Sequence, residues 1–62
     1  MSGARIYDAV VRVDDPAAAV RSLTTKELRK LGRHVDLLPE SGVPLLIAVL
    51  VDEEILRRYM AR

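Results

Sequence analysis

Cysteine is absent from these 62 residues, so neither a disulfide nor a thiolate-rich metal site can staple the fold. Phenylalanine and tryptophan are absent too, and two tyrosines leave little aromatic surface for stacking on nucleic-acid bases. An excess of one charge is also missing. Ten Lys and Arg against nine Asp and Glu leave a formal net charge of +1, too small to steer the chain onto nucleic acid or acidic lipid. The three glycines are isolated, which excludes a glycine-rich phosphate loop. There is no internal repeat, low-complexity tract or linker. Met1-Ser2-Gly3-Ala4-Arg5 lacks the long apolar stretch of a secretory signal, and no Gly follows Met directly as myristoylation requires. These absences lead to the expectation of a cytoplasmic protein with no membrane contact and no cofactor.

What is present is aliphatic. Half the residues are hydrophobic, chiefly Leu, Val and Ala, which argues against disorder. A chain this short makes one domain, 1–62, near the lower limit for a self-sufficient core. Some of its apolar side chains are therefore expected in an interface. The sharpest feature is the run Val43-Pro44-Leu45-Leu46-Ile47-Ala48-Val49-Leu50-Val51. Read as a strand, a segment apolar at every position wants both faces covered, and so small a chain has little with which to cover two. The run is also about half the length of a bilayer span.

Arg5 to Val13 carries apolar residues at the odd positions Tyr7, Ala9, Val11 and Val13, an alternation that predicts a first strand. Asp14-Asp15-Pro16 then supplies an acidic cap and a proline at the first helical position. Ala17, Val20, Thr24, Leu28 and Leu31 form one helical stripe, with Gly32 placed as its C-terminal cap. Thr24 and Glu27 have capping-box spacing, so the segment is either one kinked helix, the preferred reading, or two helices broken near Leu23. Arg33 to Leu38 reads as a strand joined through Pro39-Glu40-Ser41-Gly42 to the apolar run. Extending the helix through Leu38 is the alternative. Asp52 to Arg62 predicts an amphipathic C-terminal helix, with Ile55, Leu56, Tyr59 and Met60 as its apolar side and Glu53–Arg57 and Glu54–Arg58 as ion pairs.

The resulting expectation is an α+β domain of order β-α-β-β-α, or β-α-β-α with a parallel strand pair. At the level of topology it resembles a truncated ferredoxin-like fold of the kind found in small amino-acid-sensing regulatory domains, with no motif to carry the likeness into function. The missing strand would leave an open sheet edge for a neighbour.

Each candidate site has a plain alternative. Lys26, Arg29, Lys30 and Arg33 lie opposite the apolar stripe and form a possible nucleic-acid contact. A solvated helix face is the preferred reading, since no aromatic is interleaved with them and Glu27 dilutes their field. His34, the only histidine, would need Asp36 or Asp8 as further metal ligands, and no spacing matches a known site. Asp14 and Asp15 are explained as caps. Ser22, Thr24, Thr25 and Ser41 lack an oriented base, so no catalytic residue is assigned and enzymatic activity is not expected. The leading expectation is a small non-catalytic interaction module, either a homo-oligomer or a minor subunit bound to a partner protein. Its contact surface would be Leu45, Leu46, Ile47, Val49, Leu50, Tyr59 and Met60. The alternatives are a nucleic-acid-binding protein using the basic helix face and a regulatory small-ligand domain with its site between subunits.

Overall fold

The structure, a computed structural model, describes residues 2–61. Four α-helices and no strand occur among the described residues: α1 Gly3–Arg12, α2 Pro16–Ser22, α3 Thr25–Val35 and α4 Gly42–Met60. The α+β expectation is overturned in both its orders, and the ferredoxin-like sheet with its open edge goes with it.

The first segment is helical because Ile6 and Val10, one helical turn apart, are buried, with Tyr7 and Val11 packed beside them. Positions i, i+1, i+4 and i+5 make a helix stripe as readily as the odd positions make a strand face. Ala9 and Val13, which the strand reading turned inward, are exposed. A strand also needs a neighbour for its backbone groups, whereas a helix satisfies them within itself. Ser2 caps α1, its Oγ accepting from the Arg5 N–H at 3.3 Å.

The apolar run is the first half of α4, not a strand. A segment apolar throughout has no period to separate helix from strand, so length decides. Here it continues unbroken through Asp52-Glu53-Glu54 into a 19-residue helix. Pro44 lies in its first turn, where backbone N–H groups have no intrahelical partner to lose. Gly42 turns the chain into the helix at φ 63°, a left-handed conformation that glycine adopts without strain.

Two smaller expectations are also corrected. The chain between Pro16 and Val35 is two helices, not one with a kink. The Thr24 Oγ1 accepts from the Glu27 N–H at 3.1 Å and the Glu27 carboxylate accepts from the Thr24 N–H at 2.9 Å, a complete capping box. Gly32 does not end α3. The helix runs through it to Val35, and Asp36, Leu37 and Leu38 close the end with turn bonds to Gly32, His34 and Val35 rather than forming a strand. The cap at α2 is as expected: the Asp15 carboxylate accepts from the Ala18 N–H at 3.2 Å, with Pro16 at the first position.

α3 is the central element, packed against α1 on one side and α4 on the other. The core is Ile6 and Val10 from α1, Val20 from α2, Leu28, Leu31 and Val35 from α3, and Ile47 and Val51 from α4. The α1–α3 contact is close. A Cβ on Gly3 would stand 2.5 Å from the Lys30 carbonyl oxygen and 2.9 Å from the His34 Cβ.

Gly3 and Gly32 should therefore respond oppositely to alanine. Gly3→Ala forces α1 off α3 and should cost about 1–3 kcal/mol of unfolding free energy, despite alanine's better helix propensity. At Gly32 the added Cβ finds Val51 Cγ1 at 3.4 Å, an ordinary contact. Gly32→Ala should stabilise by about 0.5–1 kcal/mol. Urea denaturation of both variants measures the pair.

Candidate functional site

The C-terminal half of α4 is built inside out. Its inward positions are Glu54, which is buried, and Arg58, while Leu56, Tyr59 and Met60 face outward. Tyr59 is 74% exposed and Met60 73%. The sequence reading placed Tyr59 and Met60 on a contact surface, and both are exposed; what it did not anticipate is that the Glu54–Arg58 pair takes the inward side.

Arg58 accounts for the reversal. Its Nε donates to Glu54 Oε2 at 2.8 Å and its Nη1 to Thr25 Oγ1 at 3.3 Å. Its Nη2 donates to the carbonyls of Leu23 at 2.6 Å and Arg21 at 3.1 Å. The guanidinium thus satisfies carbonyls at the end of α2 that the helix leaves open, and it locks α4 onto the α2–α3 corner. Glu54 also meets Arg57 at 3.4 Å; the expected Glu53–Arg57 pair is replaced by this one. The hydrogen bond from Arg58 holds the Glu54 carboxyl below its ordinary pKa, against the opposing push of burial, with the charge of Arg57 adding to the lowering.

With that face inward, Leu45, Val49, Asp52, Leu56 and Tyr59 fall on the outward side at spacings of four, three, four and three. This is the seam pattern by which one helix packs along another. All five are exposed, and Leu46 and Met60 flank them. Of the seven interface residues expected from sequence, Leu45, Leu46, Val49, Tyr59 and Met60 are thus outward. Ile47 is fully buried in the chain's own core and Leu50 is half-buried against it. Leu56 and Ile55 are exposed surface that the sequence reading left out. The heptad spacing across Asp52 was the signal for Leu56, concealed by ending a strand at Val51.

The chain exposes 4550 Å². A compact monomer of 6.9 kDa is expected to expose about 4000 Å². The excess is of the order of one side of a small interface. Beside the N-terminal half of α4 lies a shallow cavity of about 250 Å³, lined by apolar residues including Pro44, Leu45 and Ala48 and by the carboxylates Asp36, Glu40 and Asp52.

The remaining candidates divide. Lys26, Arg29, Lys30 and Arg33 do share one side of α3, within an arc of about 100°, opposite the buried Leu28, Leu31 and Val35. Lys26, Arg29 and Arg33 are exposed and Lys30 is half-buried. His34 packs its ring against Tyr7, with centroids 5.5 Å apart. Asp8 pairs with Arg12 on its own helix at 3.2 Å, both exposed. The Ser22 hydroxyl donates to the Ala19 carbonyl, and those of Thr24 and Thr25 serve the α3 cap and Arg58. Among the described residues no cluster of His, Asp or Glu is arranged to hold a metal ion, and no helix is long and apolar enough to cross a membrane. Comparison with protein-family models, curated proteins and solved structures returns no match.

Removing the Arg58 guanidinium leaves Glu54 with only the more exposed Arg57 and takes the donor from the α2 carbonyls, so Arg58→Ala should lower Tm by roughly 10 °C or more. The pH dependence has a definite sign. Because folding lowers the Glu54 pKa, its stabilisation is complete above the ordinary value of about 4.5 and is lost as pH falls through the lower folded value. Glu27 behaves likewise, through its bonds to Thr24. Tm should therefore fall below pH 4.5, and less steeply in Glu54→Gln, as followed by circular dichroism.

Proposed function

We propose that this chain is a non-catalytic, self-associating interaction module whose contact surface is the outward face of α4. The observation that carries the reading is the inverted second half of that helix, with a charged pair inside and Leu56, Tyr59 and Met60 outside. A helix apolar on nearly every side of its first half and on the outer side of its second belongs in the interior of something larger. The heptad spacing and the surplus of exposed surface support the same reading.

Light scattering on a sizing column across a concentration series tests it. The wild-type chain should give a discrete multimer at micromolar concentration. Val49→Glu and Leu56→Glu should weaken association at least about tenfold while leaving helix content unchanged, because both sites are exposed in the single chain. Ile47→Glu should instead unfold the protein, because it places an unpaired carboxylate in the core. A wild-type chain that stays monomeric throughout the series overturns the reading.

The gathering of four basic side chains on one side of α3 favours a second reading, nucleic-acid binding by the assembled protein. It requires salt-dependent binding to duplex DNA or RNA that disappears in an Arg29→Glu, Arg33→Glu double variant. Binding unaffected by salt or by those changes eliminates that surface.

A further inference from the structure

We infer that the occupant of the α4 face is a second copy running antiparallel, α4 on α4, about a two-fold axis at Asp52, with each Tyr59 seated in the other copy's Pro44–Leu45 cavity. The inference rests on the self-association reading above and adds the geometry of the pair.

The seam is nearly palindromic. Leu45 and Tyr59 each lie seven residues from Asp52, with Val49 three before it and Leu56 four after. An isologous two-fold contact sets Leu45 against the partner's Tyr59 and Val49 against the partner's Leu56. The two ends of the seam differ in shape in a way that suits this pairing. The Leu45 end carries the 250 Å³ cavity, and the other end carries Tyr59, the most exposed apolar side chain of α4, beside a wider hollow of about 560 Å³. A parallel pair would bring cavity to cavity and tyrosine to tyrosine. The antiparallel pair fills each cavity with a ring, and the carboxylate of Asp36 or Glu40 can accept from the tyrosine hydroxyl.

Charge separates the two arrangements as well. The cavity is acidic, with Asp36, Glu40 and Asp52. The hollow beside Tyr59, about 560 Å³, is lined among the described residues by Arg29 and Arg58 and by no Asp or Glu. Arg58 is already paired with Glu54, so the exposed Arg29 carries the contrast: antiparallel docking brings it toward the partner's acidic cavity at both ends, whereas parallel docking sets acidic cavity against acidic cavity. Asp52 acts as the register mark. On the axis it meets its own copy, with Arg29 and Arg33 beside it in a shared surface hollow to offset the charge. A slip of one heptad would press it against Leu45 or Tyr59 and remove its water without a partner.

The chain has no cysteine, so each introduced thiol is unique. Three full-length variants, Leu45→Cys, Asp52→Cys and Met60→Cys, are treated with a short bis-maleimide under conditions where light scattering shows the multimer. Asp52→Cys should link to itself. Leu45→Cys and Met60→Cys should link when mixed but not alone, because two copies of position 45 stand about 21 Å apart along the seam and two copies of position 60 about 24 Å. Tyr59→Ala should weaken association at least about tenfold and Tyr59→Phe only a few-fold. Self-linking of Leu45→Cys or Met60→Cys would establish a parallel pair and overturn the inference. A multimer that shows none of the expected links would overturn it too, while leaving self-association standing. A monomer would remove the self-association reading and this arrangement together.

Discussion

The Arg58 guanidinium is the contact on which the arrangement of this protein depends. It reaches the Glu54 carboxylate on its own helix, the Thr25 hydroxyl at the start of α3, and two carbonyls at the end of α2. Three helices therefore meet at one planar fork of donors, a geometry a lysine ammonium could not reproduce. The corner between α2 and α3 is held from both directions: the Thr24–Glu27 box supplies the donors and acceptors that begin α3, and Arg58 supplies donors to the carbonyls that end α2. Neither arrangement leaves a buried side-chain polar atom without a partner among the described residues.

Around that corner, among the described residues, only eight core side chains hold four helices together. α3 contributes three of them and faces both α1 and α4, so it is the layer through which the others feel one another. The absence of a glycine side chain at position 3 brings α1 close enough for Ile6 and Val10 to join this core. α4 contributes only Ile47 and Val51. For a 19-residue helix this is a thin inner seam, and most of its aliphatic content is spent outward. The imbalance is what makes a partner surface the economical explanation of the sequence.

What could be read from sequence was local chemistry. Asp15-Pro16 marks a helix start, and Thr24 with Glu27 marks another, because a cap depends on residues three apart and on little else. What could not be read was any decision made by tertiary packing. Nine residues from Arg5 to Val13 fit a period of two and a period of 3.6, and only the presence of α3 as a packing surface, rather than a neighbouring strand, selects the helix. The uniform apolar run has no period at all, and its helical state follows from continuity with the charged segment beyond Val51. Leu45, Leu46, Val49, Tyr59 and Met60 are exposed, as a contact surface requires, in part because aliphatics are abundant on α4 in any register. Ile47 lies in the chain's own core, and Leu56, which the sequence places on the apolar side of the C-terminal helix, shares a face with Leu45 and Val49 only because the helix runs on through Asp52.

The Glu54–Arg58 pair explains why an ion pair stands where an apolar contact would be more usual. Partly buried pairs add little net stability compared with well-packed aliphatics. Replace both with leucine, however, and Asp52, Glu53 and Arg57 are the only charged residues left between Val43 and Met60. Rotations that turn Ile55 or Tyr59 inward would then compete with the native one for apolar burial. The pair removes the choice, since only one rotation brings Arg58 to the carbonyls of Arg21 and Leu23. Fixing the rotation fixes the opposite face as well, so Leu45, Val49, Leu56 and Tyr59 are presented together as a rigid stripe. The polar contact inside the protein is thus what defines the apolar surface outside it.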